Sequence, residues 1–262
     1  MLSQIHQHLA GHPWQDRIHW FETLDSTNNC AKELARNGAA EGTVVIADAQ
    51  TGGRGRLGRS FSSPAGMGIY LSVILRPDCQ PEELMHLTCA AGVAASKAVQ
   101  EATGIQPSIK WTNDLVLGKR KLGGILTEIS VDPNTRKIAW AIVGIGINCC
   151  QKPADFPEDI RQIACSLSIQ HEDVPMLTAE LIKQLSIMRR DMFAKKEQIM
   201  STFQNLCITI GQEISIVRGD QVRHAQATGI DADGALLVTL ADGSTEAVAS
   251  GEVSIRGMYG YV

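Results

Sequence analysis

The run from Ile138 to Asn148, IAWAIVGIGIN, limits the fold more than any other part of the chain. Alternate side chains of a strand point to opposite faces. Gly144, Gly146 and Asn148 therefore share one face, and Val143, Ile145 and Ile147 the other. One face is core. The other is a flat shelf ending in a carboxamide, and either a planar ring lying on it or a helix packed tightly against it would require those glycines.

Around this run, short apolar stretches of strand type alternate with a few helical patterns, the mark of an α/β or α+β domain with a mixed sheet. Strands are expected at residues 18–24, 43–48, 69–75, 108–112 and 115–117. A further strand runs from the basic turn at 118–120 to Ser130, and the turn Asp132-Pro133-Asn134 returns the chain into 138–147 as its hairpin partner. Helices are expected at 26–37, with Gly38 just beyond the end, at 81–102, opened by Pro81, and at 178–203. The first residues read as a polar helix, and from 151 to 170 the pattern weakens. Beyond about residue 210 the character changes. Five short β-type runs, separated by Arg218-Gly219-Asp220, Asp231-Ala232-Asp233-Gly234 and Ala241-Asp242-Gly243, predict a small antiparallel barrel. The expected organisation is a large domain of residues 1–210 followed by a barrel of residues 211–262.

Composition excludes several classes of function. With 44% hydrophobic and 20% charged residues in 262, the chain is not disordered, collagenous or a coiled coil. Its 24 Lys+Arg against 28 Asp+Glu give a formal charge of -4, so no global basic field draws it to DNA or to an anionic membrane. Any phosphate binding must come from a local cluster. No apolar stretch is long enough to span a bilayer, and the first twenty residues lack the apolar core of a signal peptide, so a cytoplasmic location is expected. Seven cysteines without a CxxC pair predict reduced, mostly buried thiols. His6, His8 and His12 lack zinc spacing, and no resident metal site is expected.

The local cluster exists. Residues 50–66 hold five glycines and no apolar period, and within them Arg54, Arg56 and Arg59 crowd three guanidinium groups among four glycines. Such a segment repels itself unless an anion is present, while glycine lets backbone N–H groups approach that anion closely. The spacing satisfies GxGxxG and nearly satisfies the P-loop pattern, yet Ser62, Ser63, Pro64 and Gly66 follow where both motifs require a helix. A second cluster is Lys110-Trp111-Thr112-Asn113-Asp114, with Lys119-Arg120-Lys121 and the pair Gly123-Gly124 close behind. Glycines inside a strand mark a close backbone approach, which suggests a ligand lying beside Lys121. A third is Asp25-Ser26-Thr27-Asn28 at a helix start, where Ser26 serves as an N-cap or as part of a small polar pocket that Gln50 would complete. No GxSxG occurs and no cysteine sits beside a base, so the chemistry implied is charge stabilisation and positioning.

Five motifs now stand in a recognisable order: Asp25-Ser26-Thr27-Asn28, Gln50 with residues 52–59, residues 110–115, residues 121–128 and residues 144–148. In these the chain resembles the biotin protein ligases of bacterial type over roughly residues 18–150, and the small C-terminal barrel matches as well. The family commonly has Pro where Thr112 stands and Trp where Phe61 stands. The residues before the first strand are too few for the helix-turn-helix repressor domain of bifunctional members, so the resemblance is to the ligase-only form.

The resemblance implies an α+β fold, with a mixed, largely antiparallel sheet and helices in a biotin/lipoate ligase-like catalytic domain, plus an SH3-like C-terminal barrel. It also implies an ATP-dependent reaction in two steps. Biotin is activated as biotinyl-5′-AMP with release of pyrophosphate, then passed to a lysine of the biotin carboxyl carrier protein of acetyl-CoA carboxylase, with Mg²⁺ accompanying ATP. By the same resemblance Ser26, Thr27, Asn28, Gln50, Gly53, Arg54, Gly55, Arg56, Lys121 and Gly124 hold biotin. Arg56, Arg59, Phe61, Lys110 and Asn148 face the nucleotide. Lys121, Arg56 and Asp114 are the catalytic candidates. The two cations offset the repulsion between a carboxylate and a phosphate, and Asp114 orients the incoming lysine ammonium or takes its proton through water. Two rival readings remain open. A lipoate or octanoate ligase carries a flexible acyl chain with less use for Gln50 and the Ser26-Thr27 pocket. A nucleic-acid module would leave the glycine shelf and Lys121 without a role. The oligomeric state is open, a homodimer included.

Overall fold

The computed structural model describes residues 1–249 and 254–257. A seven-stranded sheet forms the body of the molecule, with strands β1 (Ile18–Leu24), β2 (Val44–Gln50), β3 (Gly68–Leu75), β4 (Ser108–Lys110), β5 (Asp114–Leu117), β6 (Arg120–Val131) and β7 (Ile138–Asn148). Their spatial order is β1-β2-β3-β7-β6-β5-β4. Only β1 and β2 run parallel, joined through helix α2 (Thr27–Arg36), and every other neighbouring pair is antiparallel. This is the mixed, largely antiparallel α+β sheet that the family resemblance implies. The hairpin predicted around Asp132-Pro133-Asn134 joins β6 to β7, and the Asp132 carboxylate fixes its turn by accepting from Asn134 N and Thr135 N, both at 2.8 Å.

Alternation sets the two faces of the sheet. Val143, Ile145 and Ile147 of β7 join the main core, which also receives helices α1 (Leu2–His8), α3 (Leu87–Thr103), α4 (Val174–Asp191) and α5 (Lys196–Leu206). Ile142, on the opposite face, packs with Val45, Ile74 and Trp140 beneath Ala31 and Ala35 of α2. The first helix is polar in composition, yet Ile5 and the following Leu9 are fully buried and seat it against α4. All seven cysteines are free thiols, five of them buried.

The structure divides two of the expected helices. Residues 81–102 split because Glu83 closes a single 3-10 turn by accepting from Gln80 N at 2.8 Å, and α3 starts afresh at Leu87. Residues 178–203 lie in α4 and α5, with a break after Asp191. The break lets the Met192 carbonyl accept from the buried His86 Nε2 at 2.9 Å.

The C-terminal unit is an antiparallel sheet of β8 (Glu213–Arg218), β9 (Gln221–Ile230), β10 (Leu236–Leu240), β11 (Thr245–Val248) and β12 (Ser254–Gly257), in the order β11-β10-β9-β8-β12. Residues 250–253 and 258–262 of the expected barrel lie outside the described residues. The unit is no loose appendage, since Ile214, Ile216, Ala227, Leu236 and Val238 belong to the same apolar cluster as the body.

Candidate active site

The five sequence clusters meet around one cavity of about 480 Å³, over Gly124 of β6 and Gly144 and Gly146 of β7. Its polar end is built at the start of α2. Ser26 holds the N-cap position but makes no capping bond, and it lines the cavity. The helix N-terminus is satisfied from β2: the Gln50 carboxamide accepts from Thr27 N at 2.8 Å and from Thr27 Oγ1 at 3.2 Å. Gln50 Nε2 in turn donates to Ser63 Oγ at 2.9 Å, so its carboxamide is locked in one orientation. Under this layer lies Ser72, fully buried in β3, 2.8 Å from Thr27 Oγ1 and donating to Asn28 Oδ1 at 2.6 Å. Sequence reasoning missed Ser72. A lone serine inside the apolar run Gly68–Leu75 is the signal that could have found it.

The glycine shelf is not bare. A side chain at Gly144 would collide with the Asn28 carboxamide, and one at Gly146 would sit 2.5 Å from the Phe61 ring. The shelf is therefore filled by the helix at one glycine and by a loop aromatic at the other, and both of these side chains line the cavity. Phe61 is held edge-on to Tyr70, with ring centroids 6.4 Å apart. Asn148, expected at the end of the shelf, lies elsewhere. It is buried, donates to the Cys165 carbonyl at 3.0 Å and accepts from Gln151 Nε2 at 3.2 Å, and it does not line the cavity. Its amide is spent tying residues 151–165 to the sheet.

Residues 50–66 fold back on themselves, with antiparallel bridges between Gln50 and Ser63 and between Arg54 and Ser60 and a 3-10 turn at Arg56–Gly58. Gly53 is a glycine for the sake of this fold, because a side chain there would strike the Phe61 carbonyl; it stays out of the cavity. Gly55, Arg54, Arg56 and Arg59 line it. Arg56 reaches across and donates to Asn113 Oδ1 at 3.1 Å. Burial lowers the pKa of Arg56, the neighbouring Asp114 opposes that, and Arg59 adds to it. Arg54 turns the other way, donating to Asn29 Oδ1 at 3.0 Å and to Glu128 Oε1 at 3.3 Å.

Lys121 and Asp114 face each other across β5 and β6, with Nζ 2.7 Å from Oδ1. Gly124 opens the space beside them, as expected for a ligand at Lys121, whereas Gly123 faces the Gly146 carbonyl of the next strand and serves the sheet. Asn113, missed as a site residue though it lies within the second cluster, donates to Asp114 Oδ1 at 3.2 Å and to the Ile125 carbonyl at 3.1 Å. The turn that follows Lys110 and carries Trp111 and Asn113 is clamped from behind. Trp111 N donates to Thr209 Oγ1 and Trp111 Nε1 to the Gly234 carbonyl, both at 2.9 Å. Among the described residues the cavity lining has one carboxylate, Asp114, already paired with Lys121. That donor set does not fit a resident magnesium ion, which needs several oxygen ligands.

Comparison with known proteins places this sheet and cavity in a class, the protein ligases that handle biotin or lipoate. The sequence model of the biotin/lipoate A/B protein ligase family matches residues 20–148, and that of the biotin protein ligase C terminal domain matches residues 209–256. The bifunctional ligase/repressor BirA of Bacillus subtilis is 35% identical over 252 residues, covering 92% of this chain and 75% of that one. The biotin--[acetyl-CoA-carboxylase] ligase of Mycobacterium tuberculosis is 28% identical, covering 93% and 90%. A biotin protein ligase from Aquifex aeolicus in complex with biotin and ATP superposes with a TM-score of 0.75 at 30% identity, covering 92% of this chain and 99% of that one. The chain belongs to the biotin protein ligase family.

Proposed function

We propose that this protein activates biotin with ATP and attaches it to a lysine of a biotin carboxyl carrier protein. The observation that carries the reading is the joining of two kinds of site in one cavity: the neutral, oriented donors and acceptors of Ser26, Thr27, Asn28 and Gln50, and the cations Arg56 and Lys121. A fused ring system with a ureido group needs fixed polar partners at one end, and a carboxylate meeting a phosphate needs positive charge at the other.

In the first step a biotin carboxylate oxygen attacks the α-phosphorus of ATP. The bond from phosphorus to the bridging oxygen breaks, and pyrophosphate leaves with that electron pair. Arg56 and Lys121 offset the charge of two anions and of the transition state. Arg59, Lys110 and Phe61 flank the nucleotide, and Arg54, Gly55 and Gly124 bound the biotin end. In the second step the neutral amine of the acceptor lysine attacks the acyl carbon, AMP departs, and a proton is lost from nitrogen. Asp114 orients the incoming ammonium, as it already binds that of Lys121, or takes its proton through water. Residues 52–60 cover the mixed anhydride and keep water from it.

The test is ATP–pyrophosphate exchange with biotin, lipoate or octanoate supplied separately and no carrier protein present. Exchange with biotin alone is the expected result. Exchange with lipoate or octanoate moves the protein to the rival acyl ligases, and no exchange with any of the three overturns the reading.

A further inference from the structure

Behind the cavity wall lies a carboxylate that the mechanism above does not use. Glu128, in β6, is about one-quarter exposed and lies outside the cavity lining, yet it is bound from three directions. Its Oε2 accepts from Asn28 Nδ2 at 2.9 Å, and its Oε1 accepts from Lys32 Nζ at 3.0 Å and from Arg54 Nη1 at 3.3 Å. Two of those three partners line the cavity, Asn28 at the polar end and Arg54 in the glycine–arginine loop. The Asn28 carboxamide has little freedom otherwise: it lies against Gly144, where no side chain fits, and its Oδ1 accepts from Ser72. Arg54 has a second tie to α2 through Asn29, whose own amide donates to Asp25 at 2.7 Å.

Burial alone would raise the Glu128 pKa. The hydrogen bonds from Asn28 and Lys32 and the charges of Lys32 and Arg54 outweigh it, so the group sits below the ordinary glutamate value and is anionic near neutrality.

We propose that Glu128 is a positioning residue that couples the polar end of the pocket to the loop covering it, because one carboxylate holds Asn28 in the first and Arg54 in the second. The proposal rests on the functional reading above. Its physical content is a shared anchor. If the carboxylate loses its charge, Lys32 and Arg54 lose an ion pair together, Asn28 loses a charge-assisted bond, and Arg54 keeps its bond to Asn29 but loses its tie to the group that holds Asn28. The reaction that should suffer is retention of the activated intermediate, since the loop shields an anhydride that water hydrolyses.

The experiment compares the intact protein with its Glu128→Gln, Arg54→Met and double variants. Glutamine keeps the volume and an acceptor for Asn28 but removes the ion pairs. Three quantities are read: the biotin KM, the rate of biotin-dependent AMP formation without carrier protein, which reports escape and hydrolysis of the adenylate, and the melting temperature. Expected for Glu128→Gln are a biotin KM raised at least fivefold and AMP leakage raised at least fivefold, with less than a twofold change in pyrophosphate exchange at saturating biotin. The double variant should leak less than the two single effects combined predict, because both changes cut the same tie between Arg54 and Glu128. Leakage equal to that of the unaltered protein overturns the proposal, with or without a lower melting temperature, as do additive effects of the two changes. Absence of biotin-dependent exchange in the unaltered protein overturns the functional reading and this inference with it.

Discussion

Lys121 is the side chain on which the proposed first step leans most. Removing it leaves Asp114 without its partner at 2.7 Å and takes one of two cations from the place where two anions meet. Lys121→Ala is expected to slow biotin-dependent pyrophosphate exchange at least tenfold, a loss of about 1.4 kcal/mol or more of transition-state stabilisation. Single-turnover rates at saturating biotin and ATP decide it, and unaltered rates remove Lys121 from the catalytic list. A second expectation concerns a residue with no side chain at all. Gly144→Ala places a methyl group where the Asn28 carboxamide lies. The overpacked variant should lose about 1–3 kcal/mol of stability and raise the biotin KM at least tenfold while the ATP KM stays within a factor of two. Calorimetry and steady-state kinetics check the two halves separately. At this scale the sequence was informative where a residue type is costly unless used. Glycines within strands and arginines among glycines each led to the cavity. Asn148 misled because period two places its Cβ on the shelf side but says nothing of where its amide finds partners. Ser72 and Asn113 act by orienting other groups, a role that leaves little trace in residue type.

The elements follow hydrophobic period closely. β1 spans the expected residues 18–24, and β7 ends one residue beyond the expected 138–147. The helix breaks near residues 85 and 192 were not legible, because neither has a proline or glycine at the break; the first goes with the turn that Glu83 closes on Gln80, and the second with the long-range contact of Met192 with His86. The segment of residues 50–66 was legible as irregular but not as folded. Its bridges, and the left-handed backbone of Leu57 at φ 56, come from contacts that periodicity does not encode. Few of those contacts are deep, since Arg54, Leu57, Gly58 and Arg59 are exposed, so the segment belongs to the low-stability part of the molecule. Amide hydrogen exchange at residues 52–60 should slow at least tenfold when biotinyl-5′-AMP is bound. Equal exchange with and without it would show that the loop does not close over the intermediate.

The two parts of the molecule share one apolar cluster and are joined again at the turn Asp231-Ala232-Asp233-Gly234. Gly234 has φ +86, and a side chain there would come within 2.8 Å of Cys89 Sγ. Its carbonyl accepts from Trp111 Nε1 in the cavity wall. Burial pushes the Cys89 thiol up to about 12, so it stays protonated and is a weak donor to the Gly234 carbonyl at 3.9 Å. Gly234→Ala is expected to cost about 1–3 kcal/mol from backbone strain and crowding, and to raise the ATP KM at least threefold with little change for biotin. The reverse pattern would place the influence of this turn at the other end of the cavity. Because the seat of Trp111 is made by a glycine 123 positions further along the chain, the C-terminal sheet cannot be exchanged among relatives as a free module. A chimera that takes this sheet from another protein has to bring a glycine turn of the same shape and reach, or Trp111 keeps its brace from Thr209 and loses the other.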